Sequence, residues 1–366
     1  MLTSEPTSVS KSPTNLLAAL DNQQNSFNFL RLIAALSVVL FHTWHFSQGK
    51  SQANDPITTF FAPHINLGEL AVALFFFISG LLVSRSFCND PHPGRFLIRR
   101  LARILPGLWF CLLISCLFAS LFYSESGWRT WLQADAWKYL IGNGFIHFLR
   151  DQIPATEWRI AGVYAGQDLN APLWTLYWEA RMYLMVALLG AMAVLPLRLW
   201  FAICSAFLLF ANYQLPQVLG HFIWETQLWT LFLMGIVCHC CADQLRINAR
   251  VIFASLALFG LMYAHQKAAT GSGLSRFAIL YVFCLLILYV GCLKLAFLKH
   301  LQKHDYSYAA YIYHWPVCLF LQQKFSGLDP YRLFALACFI LLPICWFSWH
   351  KIEQPALAYC KKRFLR

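Results

Sequence analysis

A chain of 366 residues that is 59% hydrophobic and only 12% charged, with a mean hydropathy of +0.54, lies outside the range of soluble domains, in which about a quarter of residues are charged. These values exclude a soluble enzyme and indicate an all-α integral membrane protein. The formal net charge of +12 would point a soluble chain toward nucleic acid. In a membrane protein Lys and Arg gather in cytoplasmic loops, so the charge is read as topology and no nucleic-acid partner is expected.

Residues 1–26 are rich in Ser, Thr, Asn, Gln and Pro and lack the apolar stretch of a signal peptide. They read as a disordered cytoplasmic tail. The first hydrophobic run, FNFLRLIAALSVVLFHTWHFS at 27–47, is long enough to cross a bilayer core, for which about 20 apolar residues suffice. It nevertheless carries Arg31, His42 and His45. A charge at mid-membrane costs roughly 2.5–3.5 kcal/mol on insertion scales, so such groups face a protein interior or a water-filled cavity. Further runs follow at 67–85, 98–123, 172–195, 197–213, 222–241, 250–266, 276–298, 306–323 and 331–350, predicting about ten transmembrane helices. The membrane domain then covers 27–355 and leaves a basic cytoplasmic tail at 356–366.

With the N-terminus in the cytoplasm, eighteen of the 28 Lys and Arg lie on the cytoplasmic side and nine on the other, with Arg181 inside a span. That bias predicts both termini in the cytoplasm. The segment 124–171, with Trp128, Trp131, Trp137 and Trp158, becomes an external loop. It suits either an interfacial aromatic belt or a lid and sugar platform. Most of the thirteen cysteines sit in apolar runs, where they act as small hydrophobes. The local group Cys238, His239, Cys240 and Cys241 lacks the separated ligand pairs of a zinc site, so no metal is expected.

Three sets of residues are placed to carry chemistry. A helical rise of 1.5 Å per residue sets His42 about 16 Å outward of Arg31. Glu179, about seven residues into an inward-running span, reaches a similar depth, and His314 lies near mid-membrane. A neutral histidine accepts a hydroxyl proton near pH 7, and a carboxylate orients and stabilises the imidazolium. The bland alternatives are a histidine satisfying a backbone carbonyl and an ion-pair strut from Glu179 to Arg181 or Arg31. On the inner side, Arg100 and Arg103 share a helix face and could grip phosphate groups through their guanidinium forks, although positive-inside topology and anionic lipid also call for arginines there. Ser79, beside Gly80, has no adjacent base and is read as a packing residue that lets helices approach.

Taken in order, the motifs resemble those of the acyltransferase family 3 membrane proteins, which include bacterial surface-polysaccharide O-acetyltransferases. They are Arg31 to His42 in the first span, LFFFISG at 74–80, Arg100 to Arg103 within RRLARILP, LWTLYWE ending at Glu179, SYAAYIYHWPV at 307–317 and IEQP at 352–355. The resemblance spans nearly the whole membrane part. It implies a ten-span bundle in the bacterial inner membrane that moves an acetyl or other acyl group from cytoplasmic acyl-CoA to a hydroxyl of a glycan or lipid-linked glycan outside. On this resemblance His42 is the essential histidine, Arg31 its partner, Glu179 the acidic residue of the fourth motif, and Arg100 and Arg103 the donor-side motif. It implies no metal, and polysaccharide-assembly proteins as further partners. The chain departs from the family at Ala73, where relatives often carry an acid before the double Phe, and no role passes to Glu69. Many members of the family also carry a C-terminal extracellular hydrolase-like domain, which is not expected here because no soluble domain is read after the last span. From the residues alone, a proton-coupled secondary transporter and a noncatalytic scaffold remain open, because intramembrane His, Arg and Glu also build proton relays.

Overall fold

The structure, a computed structural model, describes residues 16–21, 25–48, 55–61, 65–145, 159–192, 223–246, 248–267, 273–293 and 304–364. The expected span at 197–213, Trp158 and residues 1–15 lie outside the described residues. Among those described the chain is helical, with no strand beyond an isolated bridge between Ser124 and Val163.

The helices in chain order are α1 (Leu16–Asp21), α2 (Phe27–Gln48), α3 (Pro56–Phe61), α4 (Leu67–Asn89), α5 (Pro93–Phe122), α6 (Ala134–Gly144) and α7 (Trp174–Ala191). Then come α8 (Ile223–Cys240), α9 (Ala249–Lys267), α10 (Gly273–Cys292), α11 (Ser307–Lys324) and α12 (Pro330–Phe347). A π-helical turn (Ser348–Glu353) joins α12 to α13 (Gln354–Phe364). Nine of the ten expected segments thus coincide with helices among the described residues. Phe27–Gln48, Leu67–Asn89, Pro93–Phe122 and the continuous Pro330–Phe364 are long and apolar enough to cross a membrane.

The expected disorder of 1–26 does not extend to α1. Its LLAALD sequence buries Leu16, Ala19 and Leu20, and its first amides donate to the Leu245 and Ala242 carbonyls at 3.3 and 3.2 Å. Arg85 closes the contact through the Leu20 carbonyl and Asp21. The expected basic tail is likewise helical: α13 packs along α5 and exposes Lys361, Lys362 and Arg363.

α4 is the central element and packs against α2, α7, α8 and α10. Lipid gives no hydrophobic drive between helices, so association rests on close packing and small residues at the crossing. Gly80 supplies that, as expected: a Cβ there would run into the Phe232 carbonyl on α8. On the other side, a Cβ at Gly235 would meet the Phe77 carbonyl on α4. Asn66 caps α4 by accepting the Glu69 amide at 2.8 Å, while its own side-chain amide donates to Glu69 Oε1 at 2.5 Å; both satisfy groups at the helix start. In the turn between α4 and α5, hydrogen bonds from Arg95 and Arg99 to Asp90 draw its carboxyl down to about 2.

The described residues of the expected external loop include elements that pack against α5. A 3-10 turn at Gly127–Leu132 leads into α6, and the stacked rings of Tyr123 and Tyr164 pin the ends of the segment together. Trp128 and Trp137 are exposed, while the Trp137 indole donates to the Trp131 carbonyl at 2.9 Å.

Candidate active site

The site is built from α2, α11 and the start of α7, and its geometry begins with a proline. Pro316 inside α11 has no amide hydrogen, so the Ile312 carbonyl four residues back loses its helical donor. Asn170 supplies one at 2.8 Å, and the Cys111 thiol lies 3.2 Å away. This pins the mouth of α7 to the middle of α11 beside His314.

His314 is fully buried, and its Nδ1 lies 2.6 Å from the Tyr311 carbonyl oxygen. A carbonyl can only accept, so Nδ1 of His314 carries the proton and Nε2 of the neutral ring is an acceptor. His42 Nδ1 lies 2.8 Å from that Nε2 and therefore donates to it. The network thus assigns the tautomers, leaving the lone pair of His42 on Nε2. The two imidazoles stack with centroids 5.0 Å apart, and Trp315 meets His42 edge-on at 5.0 Å. The Trp315 indole is itself held by the Asp168 carbonyl at 2.8 Å. His45 packs on Trp315 and Phe46.

His42 borders a cavity of about 400 Å³ whose polar lining is Asn66, Glu69, Glu225 and Gln227, with Trp174 as an aromatic wall. Glu179 lies elsewhere. It accepts a hydrogen bond from the Tyr183 hydroxyl and a long one, at 3.5 Å, from Ser79. With Arg31 and Tyr308 it lines a second, smaller cavity of about 40 Å³. Val72 and Tyr311 border both spaces. The Tyr311 hydroxyl is engaged with Thr175 at 2.7 Å and with the Pro172 carbonyl at 3.0 Å. The expected grip of Glu179 on the His42 imidazole is therefore corrected: Nδ1 is taken by His314, and the carboxylate lines the smaller space, which shares Val72 and Tyr311 with the larger one.

Arg31 is also not an ion-pair partner of Glu179. Its guanidinium pairs with Asp305 at 2.6 Å, which also meets Arg103 at 2.5 Å. Arg103 in turn pairs with Glu353 at 2.9 Å. Glu353 is 1% exposed and accepts from Ser348 at 2.8 Å across the π-helical turn. The IEQP stretch is thus tied to the Arg31 and Arg103 motifs by a buried acid–base chain. Its π geometry, frequent at functional sites, lets both Ser348 and Glu353 face inward. Burial works against the Asp305 carboxylate, but Arg31, Arg103 and the hydrogen bonds from Ser307 overcome it and hold its proton affinity well below the ordinary carboxylate range. Arg100 differs from Arg103. It donates to Ser86 at 2.9 Å, lies over the rings of Phe96 and Tyr183, and has no carboxylate within ion-pair reach among the described residues.

The sequence reading grouped His314 with His42 without assigning it a role, and it missed Asp305 and Glu225. His314 was signalled by a proline two positions on, which marks a locally reorganised helix. Glu225 was signalled by being a lone acid opening the apolar run IWETQLW.

The chain is 24% identical to the O-acetyl transferase of Shigella phage Sf6 over 345 residues, covering 91% of this chain and 96% of that protein. It is 25% identical to Nodulation protein 10 of Rhizobium leguminosarum bv. viciae over 183 residues, 45% of this chain and 44% of that one. No solved structure matches it. The acyltransferase domain model matches residues 24–350, which include every motif position from Arg31 to His314, and the chain is therefore a member of this acyltransferase family, as its motifs led us to expect.

Proposed function

We propose that this membrane protein is an O-acetyltransferase that takes an acetyl group from cytoplasmic acetyl-CoA and delivers it to a hydroxyl of a glycan or lipid-linked glycan on the external side of a bacterial inner membrane. The observation that carries the proposal is the Tyr311–His314–His42 chain, which ends in an unprotonated Nε2 beside the larger cavity. Family membership and the similarity to an O-acetyl transferase favour acyl transfer over proton-coupled transport.

Donor and acceptor would approach from opposite ends. The CoA phosphates meet Arg100, whose guanidinium has no acidic partner among the described residues, whereas Arg103 is committed to Asp305 and Glu353. The pantetheine arm is directed along Arg31, Ser79 and Glu179, where the smaller cavity must widen to admit it, and the thioester reaches the Val72–Tyr311 boundary with the larger one. The acceptor hydroxyl occupies the larger cavity. His42 Nε2 removes its proton as the oxygen attacks the thioester carbonyl, and His314 stays hydrogen-bonded to the imidazolium that forms. The tetrahedral intermediate collapses, the C–S bond breaks, and the imidazolium returns the proton to the CoA thiolate. A thioester is already activated, so a positioned base worth about 10²–10⁴ in rate, together with orientation, accounts for turnover without a metal.

The test follows labelled acetyl-CoA in sealed proteoliposomes. His42→Ala, inserted at wild-type abundance, loses about 10²–10⁴ in the rate of acetyl ester formation. A His42→Ala protein that esterifies glycan at the wild-type rate would remove His42 from the chemistry.

A further inference from the structure

The larger cavity contains a carboxylate that the proposed chemistry does not use. Glu225 stands in the first turn of α8 and lines the cavity shared with His42. Its Oε2 is shielded from solvent and has no hydrogen-bond partner among the described residues. A buried carboxylate oxygen left unpaired costs more than the bond it lacks, and native structures leave few such atoms. The neighbouring acid contrasts with it: Glu69 is engaged with the Asn66 side chain and caps α4, so local structure already explains its position. Glu225, an acid in the first turn of α8, suits the helix dipole, but no side-chain hydrogen bond of the kind that holds Glu69 engages it among the described residues. The wall beside it is the half-buried Trp174, a flat apolar surface that opens α7.

We infer that Glu225 is a positioning and specificity-determining residue for the acceptor. Its carboxylate accepts a hydrogen bond from a second hydroxyl of the molecule whose first hydroxyl is deprotonated by His42. The ligand class is therefore a polyhydroxylated ring, with one apolar face against Trp174 and two hydroxyls read by separate groups. A site built to bond a hydroxyl rejects analogues that lack it far more strongly than an apolar pocket rejects a missing methylene, because its own buried polar group is then left bare. Glu225 takes no part in bond making. It holds the ring so that one hydroxyl, rather than its neighbours, faces Nε2. The inference rests on the acyl-transfer reading above.

The experiment uses full-length protein in proteoliposomes, labelled acetyl-CoA, and as acceptor the envelope glycan of the host cell with its esters removed by mild alkali. For Glu225→Gln, the KM for this glycan rises about tenfold to a hundredfold, as for a lost hydrogen bond to a charged group, while the KM for acetyl-CoA stays within about twofold. Glu225→Asp, which retains the carboxylate on a shorter arm, has an intermediate glycan KM and guards against misfolding of the first variant. The position of the new ester, read by NMR of the product, becomes mixed in Glu225→Gln. An unchanged glycan KM with a single ester position in Glu225→Gln overturns the inference and leaves the acetyltransferase reading intact. A wild-type protein that does not esterify this glycan at all overturns both.

Discussion

The Tyr311 carbonyl fixes the proton of His314 on Nδ1, and through the 2.8 Å contact it also fixes which nitrogen of His42 is free. A histidine that orients another histidine does what a carboxylate does in a serine-hydrolase triad, without adding a negative charge in the membrane; there, disturbing the tautomer costs about 10⁴ in kcat. His314→Leu is therefore expected to lower kcat by about 10²–10⁴ with the glycan KM little changed. His314→Gln recovers part of the loss, because a carboxamide can accept from His42 and still donate to Tyr311. Initial rates of the two variants at matched abundance decide this: equal rates for Leu and Gln would reduce His314 to packing. The two histidines were legible in the sequence because ionisable groups in apolar runs are conspicuous. Their pairing was not, since 272 positions separate them and only the packing of α2 on α11 brings them together. The same blindness explains the expected partnership of His42 and Glu179. A common depth along two helices says nothing about their rotation, and the two side chains line different spaces that share Val72 and Tyr311.

Helix boundaries were the easier part to read, because a run of about 20 apolar residues announces itself by length alone. Which helix is central was harder, since every span is apolar and none carries a one-sided stripe that names its neighbours. α4 takes the centre because its small residues allow it. Gly80 and Gly235 bring the α4 and α8 backbones so near that either Cβ would strike a carbonyl of the other helix. Gly80→Ala is expected to cost about 1–3 kcal/mol through forced separation, although alanine is intrinsically the better helix former by about 0.5–1 kcal/mol. Gly260 on α9 is the matched control: a Cβ there meets nothing within 4 Å, so Gly260→Ala should be neutral or stabilising. Thermal unfolding of the two detergent-solubilised variants separates local packing from propensity. Equal Tm values would mean that α4 and α8 do not approach as closely as their glycines allow.

At the scale of the whole molecule, the bundle has chemically distinct ends, and the proposed reaction depends on which faces the cytoplasm. One end gathers Arg31, Arg85, Arg95, Arg99 and Arg103, each ion-paired with Asp21, Asp90, Asp305 or Glu353. Much of its positive charge is therefore compensated internally, and a count of arginines alone overstates the field that anionic lipid feels. The exposed cations of α13, Lys361, Lys362 and Arg363, carry no such acids in sequence and sit where a cytoplasmic leaflet would attract them, at about 1 kcal/mol each. The tail cations, not the compensated arginines, favour this end as cytoplasmic; in that orientation Arg100 would lie on the side where acyl-CoA is found and the His42 cavity toward the outer face. Cys88 offers a direct check, because it is exposed in the last turn of α4 beside Asp90. A membrane-impermeant maleimide should label it in inverted vesicles and not in intact spheroplasts, and Cys88→Ser should abolish that difference. Labelling in spheroplasts instead would turn the bundle over, place Arg100 outside, and leave the donor without that basic entrance on the side that supplies it.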